Sequence, residues 1–361
     1  YRLDMSRFVL DCAVSRPVSD RVARWYAHAA QQGWADPTAG YHEGKQASML
    51  LEQSAAALAE AVGARQVHFC PDIGAAVAAA VSELRSGAVC VATTAVDALR
   101  VIEACGEAAA AGGLPHHVLD VDADGRVTET ALNDLPTPAV LVTNLANQEI
   151  GTVQRDLTAW ARATGSLVVL DASAAFGWVD LPPGWSRVLL DARAWGGVPG
   201  AVAVCSPIPL RRAVTANVPA AAVAAAAAQQ WLSAAPSARR SARRQIAALR
   251  ERLERGIRGI EVRGGRPEDA PHILSVSVLY VDAEALQTRL DSRGYAVGSG
   301  SACASRHGQP SHVLAAVGGF TGGNLRVGLP PDLPDDVVAG FGVALVEVVA
   351  EVRAQMGTSD L

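Results

Sequence analysis

The sequence predicts an α/β fold with a mainly parallel sheet, because short apolar runs rich in β-branched residues alternate with segments of helical periodicity. The chain has 361 residues, of which 50% are hydrophobic and 19% charged, so it is long enough for about two domains with buried cores. Near residue 220 the pattern changes to a long helical stretch rich in Ala and Arg, followed by an alternating segment. These three observations predict a large α/β domain over residues 12–230. A smaller α+β domain follows over residues 231–361, joined by the N-terminal residues 1–11.

The individual elements follow from the same patterns. Helical periodicity indicates helices at 47–62, 157–163 and 220–258, and alternation between apolar and polar residues indicates a half-buried strand at 273–280. The strands predicted for the main sheet are 67–70, 89–93, 117–119, 139–143, 167–170, 187–190 and 201–205.

Composition excludes several classes of function. The net charge of −5 provides no basic field for nucleic acid or anionic lipid, and no apolar run approaches the length of a membrane helix. The opening residues contain no apolar leader, so we expect a cytoplasmic chain. Its six cysteines are widely spaced, which favours reduced thiols over a disulfide framework or a metal site. Lys45 is the only lysine, so any chemistry that needs an amine side chain depends on it.

Four groups of motifs keep a common order from about residue 9 to residue 329. They are segment 33–45 (GWADPTAGYHEGK), segments 147–154 and 169–177 (NQEIGTVQ and VLDASAAFG), segment 195–200 (WGGVPG), and segments 298–305, 310–314 and 324–327 (GSGSACAS, PSHVL and NLRV). Together they resemble the cysteine desulfurase branch of the class V aminotransferase family, which are fold-type I proteins that use pyridoxal phosphate (PLP). The resemblance implies a seven-stranded, mainly parallel sheet in the large domain.

The resemblance also implies roles for the residues around the cofactor. Asp171 matches the aspartate that pairs with the pyridinium nitrogen and keeps the ring an electron sink. Gln148 and Asn147 match positions near the cofactor ring and the substrate. Thr215 resembles the threonine that reaches across a dimer to the partner's phosphate.

Two further residues match the groups that handle the substrate. Arg326 resembles the arginine that clamps the substrate carboxylate by a bidentate pair. Cys303, in a loop of Gly and Ser, matches the cysteine that takes sulfur as a persulfide, and we expect it to be exposed and reactive.

The departures from the family pattern lie at positions that surround the cofactor in the family. Ala194 stands where the family has the lysine that forms the aldimine, so no Schiff base can form at this position. Asp97 and Ala98 replace a Glu-His pair whose imidazole stacks on the pyridine ring. Asp72 replaces a hydroxyl in the turn that cradles the phosphate, and a carboxylate there opposes a dianion. Ala174 replaces a glutamine. We therefore expect no bound PLP, although the family resemblance implies one.

The resulting hypothesis is a cysteine-desulfurase-like protein that is not catalytically competent alone. It would be a homodimer, or a heterodimer with an intact relative, and would pass sulfur through Cys303 to an acceptor protein. Two alternatives stay open. One is an active PLP-dependent desulfurase or C–S lyase, in which Ala194 is an engineered replacement or Lys45 substitutes. The other is a scaffold that binds a different small ligand, with carboxylates such as Asp72, Asp97 and Asp191 holding a cation or a basic group. We predict no metal site of the chain's own.

Overall fold

The computed structural model describes residues 7–209, 217–299 and 310–357. The strands in these ranges are β1 Phe8–Leu10, β2 Gln66–Cys70, β3 Cys90–Thr94, β4 His116–Leu119, β5 Ala139–Asn144, β6 Leu167–Asp171, β7 Arg187–Asp191, β8 Val202–Ser206, β9 Ile260–Gly264, β10 Ile273–Val278, β11 Tyr295–Val297 and β12 Asn324–Gly328. The helices are α1 Asp20–Gln32, α2 His42–Val62, α3 Ile73–Leu84, α4 Leu99–Ala111, α5 Glu129–Asp134, α6 Thr158–Thr164, α7 Val218–Gly256, α8 Ala283–Ser292, α9 His312–Ala316 and α10 Asp335–Gln355. A short 3-10 turn, Ala192–Trp195, follows β7.

The main sheet has seven strands in the order β2-β8-β7-β6-β5-β3-β4. All neighbouring strands run parallel except β8, which is antiparallel to both β2 and β7. Strands β3, β5, β7 and β8 are buried along their whole length, as expected for a parallel sheet covered on both faces. Helices α3 and α4 share a buried apolar cluster with one face of the sheet, and α7 contributes to the larger cluster that includes the other.

The predicted elements agree closely with the observed ones. The seven strands of the main sheet are confirmed, with ends that differ by one residue at most. The long helix is also confirmed, as α7, and it continues through Pro236. Helix α2 begins at His42, five residues before its predicted start. The predicted strand 273–280 ends earlier, at Val278.

A smaller antiparallel sheet, in the order β12-β10-β9, follows α7 along the chain. The N-terminal strand β1 pairs in parallel with β11. The proposed domain boundary at residues 230 and 231 falls inside α7, which is one continuous helix. The division into two domains therefore stays a prediction.

Parallel strands bring their carboxyl ends to one side of a sheet, and ligands of open α/β folds bind at that side. Strands β3, β5, β6 and β7 are mutually parallel and end there. Strand β2 also ends there, because it is antiparallel to β8, which is itself antiparallel to β7. We call this region the carboxyl edge and define it by Asp72, Asp97, Asn144, Asp171, Asp191 and the 3-10 turn after β7. Among the described residues, no helix is both long and apolar enough to cross a membrane.

Candidate functional site

Asp171, the predicted partner of the cofactor ring, is the last residue of β6. Its Oδ1 accepts hydrogen bonds from the Ser173 backbone N–H at 3.0 Å and from the Ser173 hydroxyl at 2.6 Å. The same hydroxyl accepts from the Asp191 N–H at 2.9 Å and so links two neighbouring strand ends. Burial, with a smaller contribution from the nearby carboxylates Asp191 and Asp97, raises the pKa of Asp171 to about 6, although the hydrogen bonds from Ser173 lower it. The carboxyl group thus lies in surroundings that disfavour its charge.

Asp97 is buried beyond the end of β3, and its carboxylate accepts hydrogen bonds from Thr94 and Asn144. Its Oδ2 accepts from the Thr94 N–H at 2.7 Å and the Thr94 hydroxyl at 2.9 Å. Its Oδ1 accepts from the Asn144 N–H at 2.7 Å and the Asn144 side-chain amide at 2.6 Å. Burial raises the pKa of Asp97 and these hydrogen bonds lower it. The side chain ties β3 to β5, where the family resemblance predicts a group that faces the cofactor.

The predicted phosphate cradle is the N-terminus of α3, a place where backbone N–H groups attract anions. Here the Asp72 side chain accepts the Ala75 N–H at 2.9 Å and caps the helix. A Cβ added at Gly74 would lie 2.7–2.9 Å from the guanidinium atoms of Arg100, so that side chain packs directly against the first turn. The carboxylate of Asp72 therefore takes up one of the N–H groups that would bind a phosphate, and the exposed Arg100 side chain packs beside the same turn.

Ala194 lies in the 3-10 turn after β7 and is buried. The turn is capped by Asp191, whose carboxylate also pairs with the Arg193 guanidinium through contacts of 2.6–3.1 Å. No amine is available at this position. Lys45 is exposed in the first turn of α2, a helix that packs on α7 and β2.

Asn147 and Gln148 line a small cavity together with Asp171 and Ser173. The cavity measures about 20 Å³, which is room for about one water molecule. The amide of Asn147 is occupied in its own turn, since its nitrogen donates to Val96 O at 2.8 Å and its oxygen accepts from the N–H groups of the next turn at 2.9 and 3.0 Å. Its assignment to the substrate stays a prediction.

Arg326, the predicted carboxylate clamp, already holds a carboxylate of this chain. Its Nε and Nη2 both donate to Oδ1 of Asp11, at 3.0 and 2.7 Å. Burial raises the pKa of Glu149, and the nearby positive charge of Arg326 lowers it. Glu149 in turn accepts a 2.6 Å hydrogen bond from the Ser311 hydroxyl. The role of Arg326 in substrate binding stays a prediction.

Cys303 and Thr215 lie outside the described residues, so their predicted roles stay predictions. The other five cysteines are all buried. Burial raises the pKa of Cys12 to about 12 and of Cys70 to about 11, and it also raises those of Cys90, Cys105 and Cys205. These five thiols are protonated and enclosed, which makes them poor nucleophiles.

The family model for class V aminotransferases matches residues 202–334. A Bacillus subtilis protein named "Putative cysteine desulfurase IscS 1" is 27% identical over 345 residues, which cover 87% of this chain and 90% of that relative. The cysteine desulfurase of Bradyrhizobium diazoefficiens is 32% identical over 251 residues, 63% of each chain. Residues 202–334 thus match the class V aminotransferase family, and over most of its length the chain is similar to proteins named cysteine desulfurases.

Solved structures have the same fold as this chain. A NifS-like protein superimposes with a TM-score of 0.80 at 20% identity and covers 96% of this chain and 100% of its own. The apo cysteine desulfurase of Thermococcus onnurineus gives a TM-score of 0.81 at 15% identity, over 96% of this chain and 95% of its own. The predicted fold-type I architecture is therefore confirmed.

Three features of the described residues differ from those expected of a PLP pocket. Sites for small molecules usually enclose about 300–1,000 Å³, whereas the space beside Asp171 is about 20 Å³. Asp72 takes up a donor at the start of α3, and Asp97 is turned into the protein. Ala194 offers no amine. The chain thus has the family's fold, but the carboxylates at its carboxyl edge accept hydrogen bonds from neighbouring residues of the same chain.

The alternative of a cation site has no support from the described ranges, where no three His, Cys, Asp or Glu residues are placed to hold a metal ion. Sequence reasoning missed the hydrogen bonds of the Asp97 carboxylate and the Asp11–Arg326 pair. Asp97 was recognisable only as a substituted family position, and Asp11 and Arg326 are separated by 315 positions in the chain. No local pattern indicates such contacts.

Proposed function

We propose that this chain is a cysteine-desulfurase-like protein that works without PLP of its own, as a subunit or partner of a PLP-bearing relative in sulfur mobilisation. The observation that carries the proposal is the carboxyl edge, where a 20 Å³ space and internally paired carboxylates replace a cofactor pocket. The family match supports the link to sulfur, because the relatives in the comparison are cysteine desulfurases.

Cys303 is the group that would carry the sulfur. Its thiolate attacks the outer sulfur of a persulfide on the partner, so that one S–S bond forms on Cys303 and the partner's S–S bond breaks. The partner leaves as a thiolate and the proton stays on the transferred sulfur, so the exchange needs no oxidant or reductant. The five buried thiols take no part, since burial keeps them protonated.

The experiment is co-expression of the tagged chain with an intact cysteine desulfurase, followed by purification, addition of L-cysteine and mass spectrometry of the peptides. We expect a stable complex and a gain of one sulfur atom on the peptide that holds Cys303. The variant Cys303→Ser is the control, and the five buried cysteines serve as internal controls in the same sample.

The active-enzyme alternative rests on the family match and makes the opposite prediction. The purified chain alone would release sulfide from L-cysteine when PLP is added, and this release would disappear in Lys45→Ala. Such turnover, or a chain that remains a homodimer and gains no sulfur beside the intact desulfurase, would contradict the proposal.

A further inference from the structure

A buried guanidinium lies between two tryptophans behind the turn that follows β6. Arg16 is 8% exposed, and its guanidinium carbon is 4.0 Å from the ring centroid of Trp231 and 5.2 Å from that of Trp178. His272 is 1% exposed and stacks on Trp178, with ring centroids 4.2 Å apart and an 8° angle between the planes. We call Arg16, Trp178, Trp231 and His272 the tryptophan junction.

Four side-chain nitrogens of the tryptophan junction have no hydrogen-bond partner among the described residues. Arg16 Nε and Nη2 and both ring nitrogens of His272 are buried without a hydrogen bond. The indole N–H of Trp231 is already used, because it donates to Phe176 O at 2.8 Å. Buried polar atoms in proteins are nearly always hydrogen-bonded, so four orphaned nitrogens in one cluster indicate a missing acceptor.

The charge of Arg16 sharpens this conclusion. Burial lowers the pKa of Arg16 to about 10, which leaves the group charged at neutral pH. Two groups act on it from nearby, Cys12 and Asp332. Burial raises the pKa of Cys12 to about 12, so that thiol is neutral, and Asp332 is exposed and makes no hydrogen bond to Arg16. Buried charges in proteins are otherwise paired or bound to ions.

A second buried arginine shows how this chain pairs such a charge. Arg187 is 3% exposed, and its Nη2 donates to Glu83 at 3.0 Å while its Nη1 donates to Ser186 O at 2.7 Å. Arg16 has no such carboxylate among the described residues.

We propose that the tryptophan junction is a binding site for one small oxyanion. The Nε–H and Nη2–H of Arg16 lie along one edge of the guanidinium and match the two oxygens of a carboxylate. His272 adds a third donor, because burial holds its pKa well below 6.5 and a neutral imidazole still carries one N–H. The site is independent of the proposed role in sulfur transfer.

The charge balance selects the class of anion. Arg16 is the only cation of the tryptophan junction, and the neighbouring Arg193 is paired with Asp191. A monovalent carboxylate such as formate or acetate neutralises one guanidinium, whereas sulfate would bring an unmatched second charge into an apolar place. We therefore expect small carboxylates to bind better than sulfate or phosphate.

The test is thermal unfolding of the whole protein in sodium formate, acetate, sulfate or chloride at one ionic strength, with tryptophan emission as a second signal. Formate and acetate are expected to raise Tm by about 2–4 °C in a saturable manner, which is the size expected when a ligand binds only the folded state. Tryptophan emission should change over the same concentration range, since Trp178 and Trp231 cover the site.

Arg16→Gln should abolish both responses, and Arg240→Gln, which removes an exposed arginine of α7, should keep them. Arg16→Lys keeps the charge without the paired donors and should bind on the order of tenfold more weakly, which tests the geometry even if Arg16→Gln fails to fold. A wild-type protein with no saturable response, a response to chloride alone, or equal responses in wild type and Arg16→Lys would overturn the proposal and leave water as the partner of Arg16.

Discussion

The carboxyl edge and the tryptophan junction lie side by side, joined by a backbone hydrogen bond of 2.9 Å from Arg16 N to Arg193 O, yet they are opposite in their polar contacts. At the carboxyl edge, Asp72, Asp97, Asp171 and Asp191 each accept hydrogen bonds from their own chain. At the tryptophan junction, Nε and Nη2 of the buried Arg16 and both ring nitrogens of His272 have no hydrogen-bond partner in the described part of the chain. The carboxylates at the position where the family would bind a ligand are hydrogen-bonded within the chain, and the unpaired charge of Arg16 lies next to them.

Two of the carboxylates at the carboxyl edge have structural roles. Asp97 joins the ends of two strands, and Asp72 caps a helix. Three sets of variants test whether a buried polar group is paired within the chain, and a fourth experiment tests the thiols.

The largest effect is expected for Asp97→Ala, which should lower the free energy of unfolding by at least about 3 kcal/mol. The substitution removes the acceptor of four short hydrogen bonds to a charged group and leaves buried N–H groups without partners. Urea unfolding at pH 7 measures it. The matched control is Asp72→Ala, which removes only a helix cap and should cost about 1 kcal/mol. Equal losses of unfolding free energy in the two variants would contradict the prediction that Asp97 stabilises the carboxyl edge more than Asp72 does.

The next effect compares the two buried arginines. Arg187→Met breaks a buried ion pair with Glu83 and should lower the free energy of unfolding by about 3 kcal/mol. Arg16→Met removes a buried charge with no partner and, in buffer free of small carboxylates, should change it by less than about 1 kcal/mol. Parallel urea titrations compare the two variants. A loss in Arg16→Met as large as that in Arg187→Met would mean that Arg16 has a partner within the chain.

Asp171→Asn should stabilise the protein at pH 8 by about 1–3 kcal/mol. The raised pKa means that the folded protein holds this proton more tightly than the unfolded chain, so wild-type stability falls as pH rises from about 4 through about 6. Asparagine keeps the acceptor for Ser173 and removes the charge. The gain should shrink as the pH approaches 4, in unfolding curves recorded across this range. A loss of stability at pH 8 would indicate that a cation partners Asp171.

The smallest effect is expected in the labelling of thiols. Because the five described cysteines are buried, Ellman's reagent should label one thiol per native chain, and Cys303→Ser should abolish this labelling. Full labelling in denaturant is the control for reagent and concentration. Two or more fast-reacting thiols in the native chain would remove the reason for assigning sulfur transfer to Cys303.

Sequence reasoning predicted the architecture well, because the buried parallel strands are continuous apolar runs and their ends are marked by turn residues, as in β5 and β6. Asp171 and Asn147, which the family resemblance assigns to the cofactor and the substrate, line one cavity, and their roles stay predictions. The contacts of Asp97 with Asn144 and of Arg326 with Asp11 could not be predicted, because they join distant parts of the chain. The burial of Arg16 between two tryptophans could not be predicted either, because such a contact leaves no local pattern in the sequence.

The central proposal is that this chain does not bind PLP, and titration of PLP with visible absorption tests it most directly. The wild type and Ala194→Lys should both show no protein-dependent band and no saturable binding, because the cavity beside Asp171 and the cap at Asp72 exclude the cofactor even when a lysine is present. An intact desulfurase is the positive control. A saturable band in the wild type that is lost in Lys45→Ala, or a band restored by Ala194→Lys alone, would contradict the account.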